Sequence, residues 1–247
     1  MGTTTVERQT EAEANPRGGC EADPEPMAVD GLLAEHLGEA ADALIGDLRA
    51  RRRPHLFVIS GPSGVGKDAV IERLRPLFPE AYFAVTATTR ARRPGEVDGV
   101  HYYFYSEDDF ATGIANGEFL EHATVYGRHY GVPRGQVRQA LARGQDVVVK
   151  VDIQGAAAIR RLAPHATFIF LAPESMAELL HRLRSRKTDD PEALMRRFGT
   201  ASRELAAAND FDYVIFNEAN RLQQTLEQIA AVVSAERCRI RQHPMNL

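Results

Sequence analysis

The stretch Gly61-Pro62-Ser63-Gly64-Val65-Gly66-Lys67 constrains this chain more than any other. It has the G-x-x-x-x-G-K spacing, in which glycines let successive backbone N–H groups turn inward around a phosphate and a lysine reaches the terminal phosphates. Such a loop needs a strand before it and a helix behind it, whose positive N-terminal end faces the same anion. Both are expected here. An apolar run at 56–59 follows Pro54, and a helical pattern covers 68–77. A glycine-rich turn that binds nothing is the plain alternative, and it gives no reason for that placement. Residues 61–68 therefore form a candidate ATP-binding loop. The motif normally closes on Ser or Thr, whose hydroxyl ligates Mg²⁺, whereas here the position is Asp68. A carboxylate is also a hard oxygen ligand, which makes Asp68 the candidate metal residue; capping of the helix is its structural alternative.

Further apolar runs at 147–149, 167–171 and 213–216 are separated by helical stretches at 134–142, 174–186 and 191–208. A helix at 222–235 closes the series. Short buried strands alternating with helices predict an α/β fold with a parallel sheet flanked by helices. A segment from about 84 to 130 breaks the alternation. It is aromatic, charged and rich in turns, and is expected to form an inserted lobe. Ahead of the 54–240 domain, residues 1–30 carry no hydrophobic period and are expected to be disordered. Residues 31–53 read as an amphipathic helix, with Leu33, Leu37, Ala40, Ala41, Leu44, Ile45 and Leu48 at helical spacing and arginines at its end. Residues 241–247 read as a tail.

Composition narrows the partners. With 44% hydrophobic and 26% charged residues the chain reads as globular, and no run of 18 apolar residues predicts a membrane span. A net charge of −4 gives no global attraction to nucleic acid or to anionic lipid. Cys20 and Cys238 sit far apart and match no metal spacing, which suits a reducing cytoplasm. The first 30 residues lack the apolar core of a secretory signal and are too acidic to resemble a transit peptide. Locally, positive charge can still be concentrated. Only three lysines occur, Lys67, Lys150 and Lys187; the other basic side chains are arginine. Arg90, Arg92 and Arg93 lie among turn residues just ahead of Tyr102, and arginine forks match phosphate oxygens, so this block reads as a second anion site. A solvated basic loop is the alternative.

Over roughly residues 56–235 the chain resembles the guanylate kinase family. The resemblance rests on the loop, the T-T-R-x-x-R-x-G-E-x-x-G-x-x-Y block from Thr88 to Tyr102, G-E-F-L-E at 117–121, Tyr130-Gly131, V-D-I-Q-G-A at 151–156, and Asp212-Tyr213-Val214 with Asn217. It implies an ATP:GMP phosphotransferase of purine nucleotide metabolism, acting with Mg²⁺ on GMP and dGMP, with a GMP-binding lobe and a helical lid at about 182–200. By resemblance, Arg90, Arg93, Tyr102 and Tyr130 hold the GMP phosphate, and Thr86, Glu121 and Asp152 face the guanine side. Arg186 and Arg197 of the lid close on the ATP phosphates, Lys67 supports transfer, and Asn217 lies near the adenine. The chain departs from the family at Asp68, at Val132 where Ser or Thr is usual, and at Lys150 where an acid is common. The last departure, taken with Asp68, predicts that Lys150 pairs with Asp68 or Asp152. Two competing readings are a ribose 1,5-bisphosphate kinase, which resembles the chain at Gly-Lys-Asp but lacks the full arginine block, and a non-catalytic guanylate-kinase-like binding module, which has usually lost the lysine loop.

Overall fold

The structure is a computed structural model that describes residues 27–50, 53–125, 127–185, 191–240, 243, 245 and 247; side chains are described except at 27–35, 185, 191–194, 196 and 197. The described part of residues 1–50 is a helix, α1 (Met27–Ala50), which begins earlier than the periodicity suggested. It forms one compact unit and residues 51–247 form the other.

The second unit is organised by a parallel sheet built from β1 (Leu56–Ser60), β2 (Tyr82–Phe83), β7 (Val147–Lys150), β8 (Thr167–Pro173) and β9 (Tyr213–Asn217), in the order β2-β7-β1-β8-β9. Strand β1 is central and wholly buried. Its alternation feeds two cores, as a pleat of period two requires. Leu56 and Val58 pack with Val137 and Leu141 of α4 (Arg134–Ala142) and with Ala156 and Ile159 of α5 (Ile153–Leu162). Phe57 and Ile59 pack with Val70, Ile71 and Leu74 of α2 (Lys67–Leu74) and with Leu226, Ile229 and Val233 of α8 (Leu222–Arg237). The neighbours β7 and β8 lie on opposite sides of β1, so the loop leaves the sheet where its strand order reverses, the usual crevice for a ligand.

The segment that interrupts the alternation folds into a separate four-stranded sheet in the order β4-β3-β6-β5. Its members are β3 (Ala87–Thr88), β4 (Tyr103–Phe104), β5 (Phe119–Val125) and β6 (Arg128–Pro133). A helix, α3 (Glu107–Ala115), lies against it through Phe110, whose ring stacks on Phe119 at 4.4 Å between centroids. Leu120 of β5 and Val132 of β6 belong to the large core, which ties the small sheet to the main one.

Several boundaries differ from the sequence expectation for identifiable reasons. The helix after the loop gives way at Leu74 to a 3₁₀ turn, Arg75–Leu77, because Pro76 has no N–H to continue the ladder. Helices α3 and α5 are additional to those expected. The first is capped by Ser106, which accepts from the Asp109 N–H at 3.0 Å, and the second by Asp152. The stretches expected at 174–186 and 191–208 are α6 (Met176–Ser185) and α7 (Pro191–Ala206), the second followed by a 3₁₀ turn, Ala207–Asp210. The strand after Ala166 runs to Pro173, and the last helix extends to Arg237.

Candidate active site

The glycine loop is closed from three directions. Gly61 has φ +145°, and a Cβ there would lie 2.2 Å from the Leu171 carbonyl oxygen of β8, so only glycine fits. At Gly66, φ +104°, a Cβ would meet Asn217 Nδ2 at 2.6 Å. The Val65 carbonyl accepts from Asn217 Nδ2 at 2.7 Å and from Arg182 Nη1 at 3.0 Å, while Pro62 accepts from the Val65 N–H. The Ser63 N–H donates to Glu204 Oε2 of α7 at 3.0 Å. Gly64 packs under Leu179 and Leu183 of α6. The loop thus presents a fixed curvature, set by side chains behind it.

Lys67 folds over this loop and donates to the carbonyls of Gly61 at 2.5 Å and Pro62 at 3.1 Å. Burial pulls its pKa down to about 8, against the pull of Glu204, Asp68 and Asp152. An arriving anion would favour the charged form. Asp68, in the first turn of α2, is bonded to Lys150 Nζ at 2.5 Å, so the expected pair is present, with Asp68 as the partner. The same ammonium donates to the Tyr102 hydroxyl at 3.0 Å. Burial disfavours its charge, but Tyr102 and Asp68 outweigh that and hold it above its ordinary pKa.

Around Tyr102 lies the second cationic cluster. The Arg90 guanidinium sits 5.3 Å from the Tyr102 ring centroid, and the Tyr130 ring meets Tyr102 edge-on at 6.3 Å. Arg90 is held by Glu96 at 2.7 Å, and Glu96 also accepts from the Arg93 N–H at 2.7 Å. Although burial works against it, these bonds keep the Glu96 carboxyl below its ordinary range. Arg90 and Arg93 are therefore presented by one carboxylate, which sequence reasoning left out of the site although it lies within the arginine block.

Deeper, Glu121 of β5 is 6% exposed. Burial, reinforced by Asp152, pushes its pKa up to about 8, opposed by a backbone hydrogen bond at Val132. Gly155 makes room for it: a Cβ there would stand 2.7 Å from Glu121 Oε2. Asp152 caps α5, accepting from the Gly155 N–H at 2.8 Å, so its position beside Glu121 is fixed by the helix start. Thr86 is buried at this level, with a long 3.5 Å bond to the Lys150 carbonyl. Val132 is fully buried and packs in the large core.

Of Arg182, Arg186 and Arg197, the side chain of Arg182 alone is described. Arg186 lies outside the described residues, and Arg197 lies on α7 with its side chain undescribed. Arg182, at the start of the expected lid, is bonded to Glu178, Val65 and Asn217, and so is rooted in the glycine loop. Asn217 likewise holds the loop and accepts from Thr225 Oγ1 at 3.3 Å. Glu204 was not anticipated, because one acid on an amphipathic helix carries no sequence signal of its own.

A curved loop with a lysine over it, a cationic aromatic cluster and the buried Glu121 beside the half-buried Asp152 thus meet at the carboxyl ends of the strands. The sequence profile of the guanylate kinase family matches residues 53–236. The chain belongs to the guanylate kinase family. Guanylate kinase 2, chloroplastic/mitochondrial, from Oryza sativa subsp. japonica is 46% identical over 196 residues, covering 79% of this chain and 69% of that protein. The guanylate kinase of Carboxydothermus hydrogenoformans is 43% identical over 182 residues, 74% of this chain and 88% of its own. Among solved structures, guanylate kinase from Anaplasma phagocytophilum superposes with a TM-score of 0.63 at 31% identity, covering 76% of this chain and 90% of that one. The guanylate kinase match spans both sheets and every described site residue.

Proposed function

We propose that the chain transfers the terminal phosphoryl group of ATP to GMP, and to dGMP, giving the diphosphate and ADP. The observation that carries this reading is Glu121: a carboxyl buried beside Asp152, on the strand paired with the one that bears Tyr130, whose ring meets Tyr102 and through it Arg90. Guanine offers N1–H and the exocyclic amine as adjacent donors to the two oxygens of such a group. Adenine has no such pair, and a buried carboxyl group left without hydrogen-bond partners is costly, so the site discriminates against it.

In this reading Lys67 exchanges the carbonyls of Gly61 and Pro62 for the phosphates of ATP, whose oxygens also face the loop N–H groups of 61–68. Arg90, Arg93, Tyr102 and Tyr130 hold the GMP phosphate, and Thr86 and Asp152 line the base side with Glu121. Asn217 and Arg182 keep the loop curved from behind, and Arg186 and Arg197 cover the migrating group. The phosphoryl passes in line through a loose transition state, so positioning and charge neutralisation supply the rate and no protein nucleophile is required.

Mg²⁺ fits the donor set as a guest of ATP. Among the described residues no cluster of three or more His, Cys, Asp or Glu exists to cage an ion, but the Asp68 side chain is 57% exposed beside the loop and offers a hard oxygen. Magnesium is commonly held by one or two carboxylates together with substrate phosphates. Held there with ATP by Asp68, the ion would supply positive charge against that of the phosphates.

The test is a panel of acceptors, GMP, dGMP, AMP, CMP, UMP and ribose 1,5-bisphosphate, with ATP and Mg²⁺, read by product identity. GMP is expected to lead, dGMP to follow, and the others to lag by about a hundredfold or more. Preference for ribose 1,5-bisphosphate over GMP would overturn the assignment.

A further inference from the structure

The roles assigned above leave Lys150 without one, although it touches both halves of the site. It ends β7 and is paired in register with Ile59, on the strand that feeds the glycine loop. Its ammonium reaches Asp68 Oδ1 on the loop side at 2.5 Å and the Tyr102 hydroxyl in the small sheet at 3.0 Å. It also lies 4.5 Å from the Tyr102 ring centroid, on the same ring that carries Arg90 at 5.3 Å. The lysine side chain is 16% exposed while that of Asp68 is 57% exposed, so the cation is seated inside the site and the carboxylate at its mouth.

A lone surface ion pair would be worth little. This arrangement differs because its members come from separate parts of the fold. Asp68 belongs to the helix that starts at Lys67, and Tyr102 ends the arginine block. Phosphoryl transfer depends on how accurately the two phosphates are lined up, since a displacement of about 1 Å costs on the order of a hundredfold in rate. Two anions brought into line also repel, and a cation fixed between their holders lowers that repulsion.

We propose that Lys150 is a positioning residue for the transfer: it sets Tyr102, and through it the acceptor phosphate, in register with the ATP loop by way of Asp68. This rests on the GMP kinase reading, and the wild-type enzyme serves as the control that separates the two. Wild-type protein that fails to phosphorylate GMP sinks the function; active wild-type protein with indifferent Lys150 variants sinks only the present proposal.

The test compares Lys150→Met, Lys150→Gln and Lys150→Arg in the full chain, each checked for folding by thermal melting, with kcat and both KM values measured. The Met and Gln variants are expected to lose about a hundredfold in kcat. Their KM for ATP should stay within about threefold of wild type, because Lys67 and the loop backbone from Gly61 to Gly66, held by Asn217, Arg182 and Glu204, make no contact with Lys150 that these changes remove. Lys150→Arg should recover most of the loss, since a guanidinium can reach the same two oxygens. The proposal is overturned if the Met and Gln variants keep wild-type kcat, if their losses appear only as a raised KM for ATP, or if Arg fares no better than Met. It also fails if none of the three folds, since Lys150 then serves the fold alone.

Discussion

At the scale of single residues, the most consequential feature is the protonation of Glu121. Its pKa of about 8, raised by burial and then by Asp152, means that the empty site holds a neutral acid at neutral pH. In the proposed reading guanine presents two donors to Glu121 and is best received by the ionised carboxylate, so GMP binding would release a proton below about pH 8. The sign follows: apparent GMP affinity rises with pH up to the free-site pKa and levels above it. The KM for GMP is expected to fall by nearly tenfold per unit between about pH 6 and 7.5, measured at saturating ATP. Glu121→Gln should raise that KM and flatten the slope; the titration of the GMP phosphate itself is common to both proteins and cancels in the comparison. Parallel profiles for the two would show that Glu121 does not read the base. This residue also marks where sequence reading stops. Its place in G-E-F-L-E pointed to guanine, but the raised pKa depends on Asp152 and Gly155, which lie more than thirty positions away and meet it only through the packing of α5 on β5.

At the scale of elements, helix α7 bears Arg197, expected in the lid, and also reaches the glycine loop. Its Glu204 takes the Ser63 N–H of the loop at 3.0 Å, so the helix that bears Arg197 also braces the ATP loop. Two effects compete when ATP arrives. The carboxylate repels the phosphates, and its hydrogen bond keeps the loop in shape. A hydrogen bond to a charged group contributes about 1.5–3 kcal/mol, while repulsion across a solvated site is screened, so the bracing should win. Glu204→Ala is therefore expected to raise the KM for ATP by about tenfold and to leave that for GMP unchanged, with Glu204→Gln in between. A lowered KM for ATP in the Ala variant would reverse the order of the two effects. The main sheet was legible because each of its long strands is a short apolar run bounded by turns, and α4 was legible at both ends. Helices α3 and α5 were not, because their starts are marked only by Ser106 and Asp152, a signal that reads equally as a turn. The Asp68–Lys150 pair was readable as two linked departures from a family pattern. The bond to Tyr102 was not, since it depends on how the small sheet docks on the large one.

At the scale of the whole molecule, the question is where the working unit begins. Residues 1–50 and 51–247 form separate compact units, and the family match starts at residue 53. Both large cores are built from residues 56 onward, and the site residues described above run from Gly61 to Asn217. His55, just ahead of β1, has a structural duty in the sheet. Its backbone N–H donates to Asp146 Oδ1 at 2.8 Å, its Nε2 lies 2.7 Å from Thr167 Oγ1, and Asp146 is held in turn by Arg237 Nε at 2.6 Å. This network joins the starts of β1 and β8 to α8, at the end of the sheet away from the loop. A chain shortened to begin at Arg53 keeps it and is expected to fold and to retain GMP kinase activity within about twofold of the full chain. A chain begun at Phe57 loses the network and the fully buried Leu56. Removing that core side chain alone costs about 2–5 kcal/mol, a large part of the stability of an ordinary domain. The two truncations measured together by thermal melting and GMP turnover separate the possibilities. Equal behaviour of both would mean that the His55 network contributes nothing to the fold. A folded but inactive chain from Arg53 would mean that the preceding residues act in catalysis, through contacts that neither the loop nor the arginine cluster supplies.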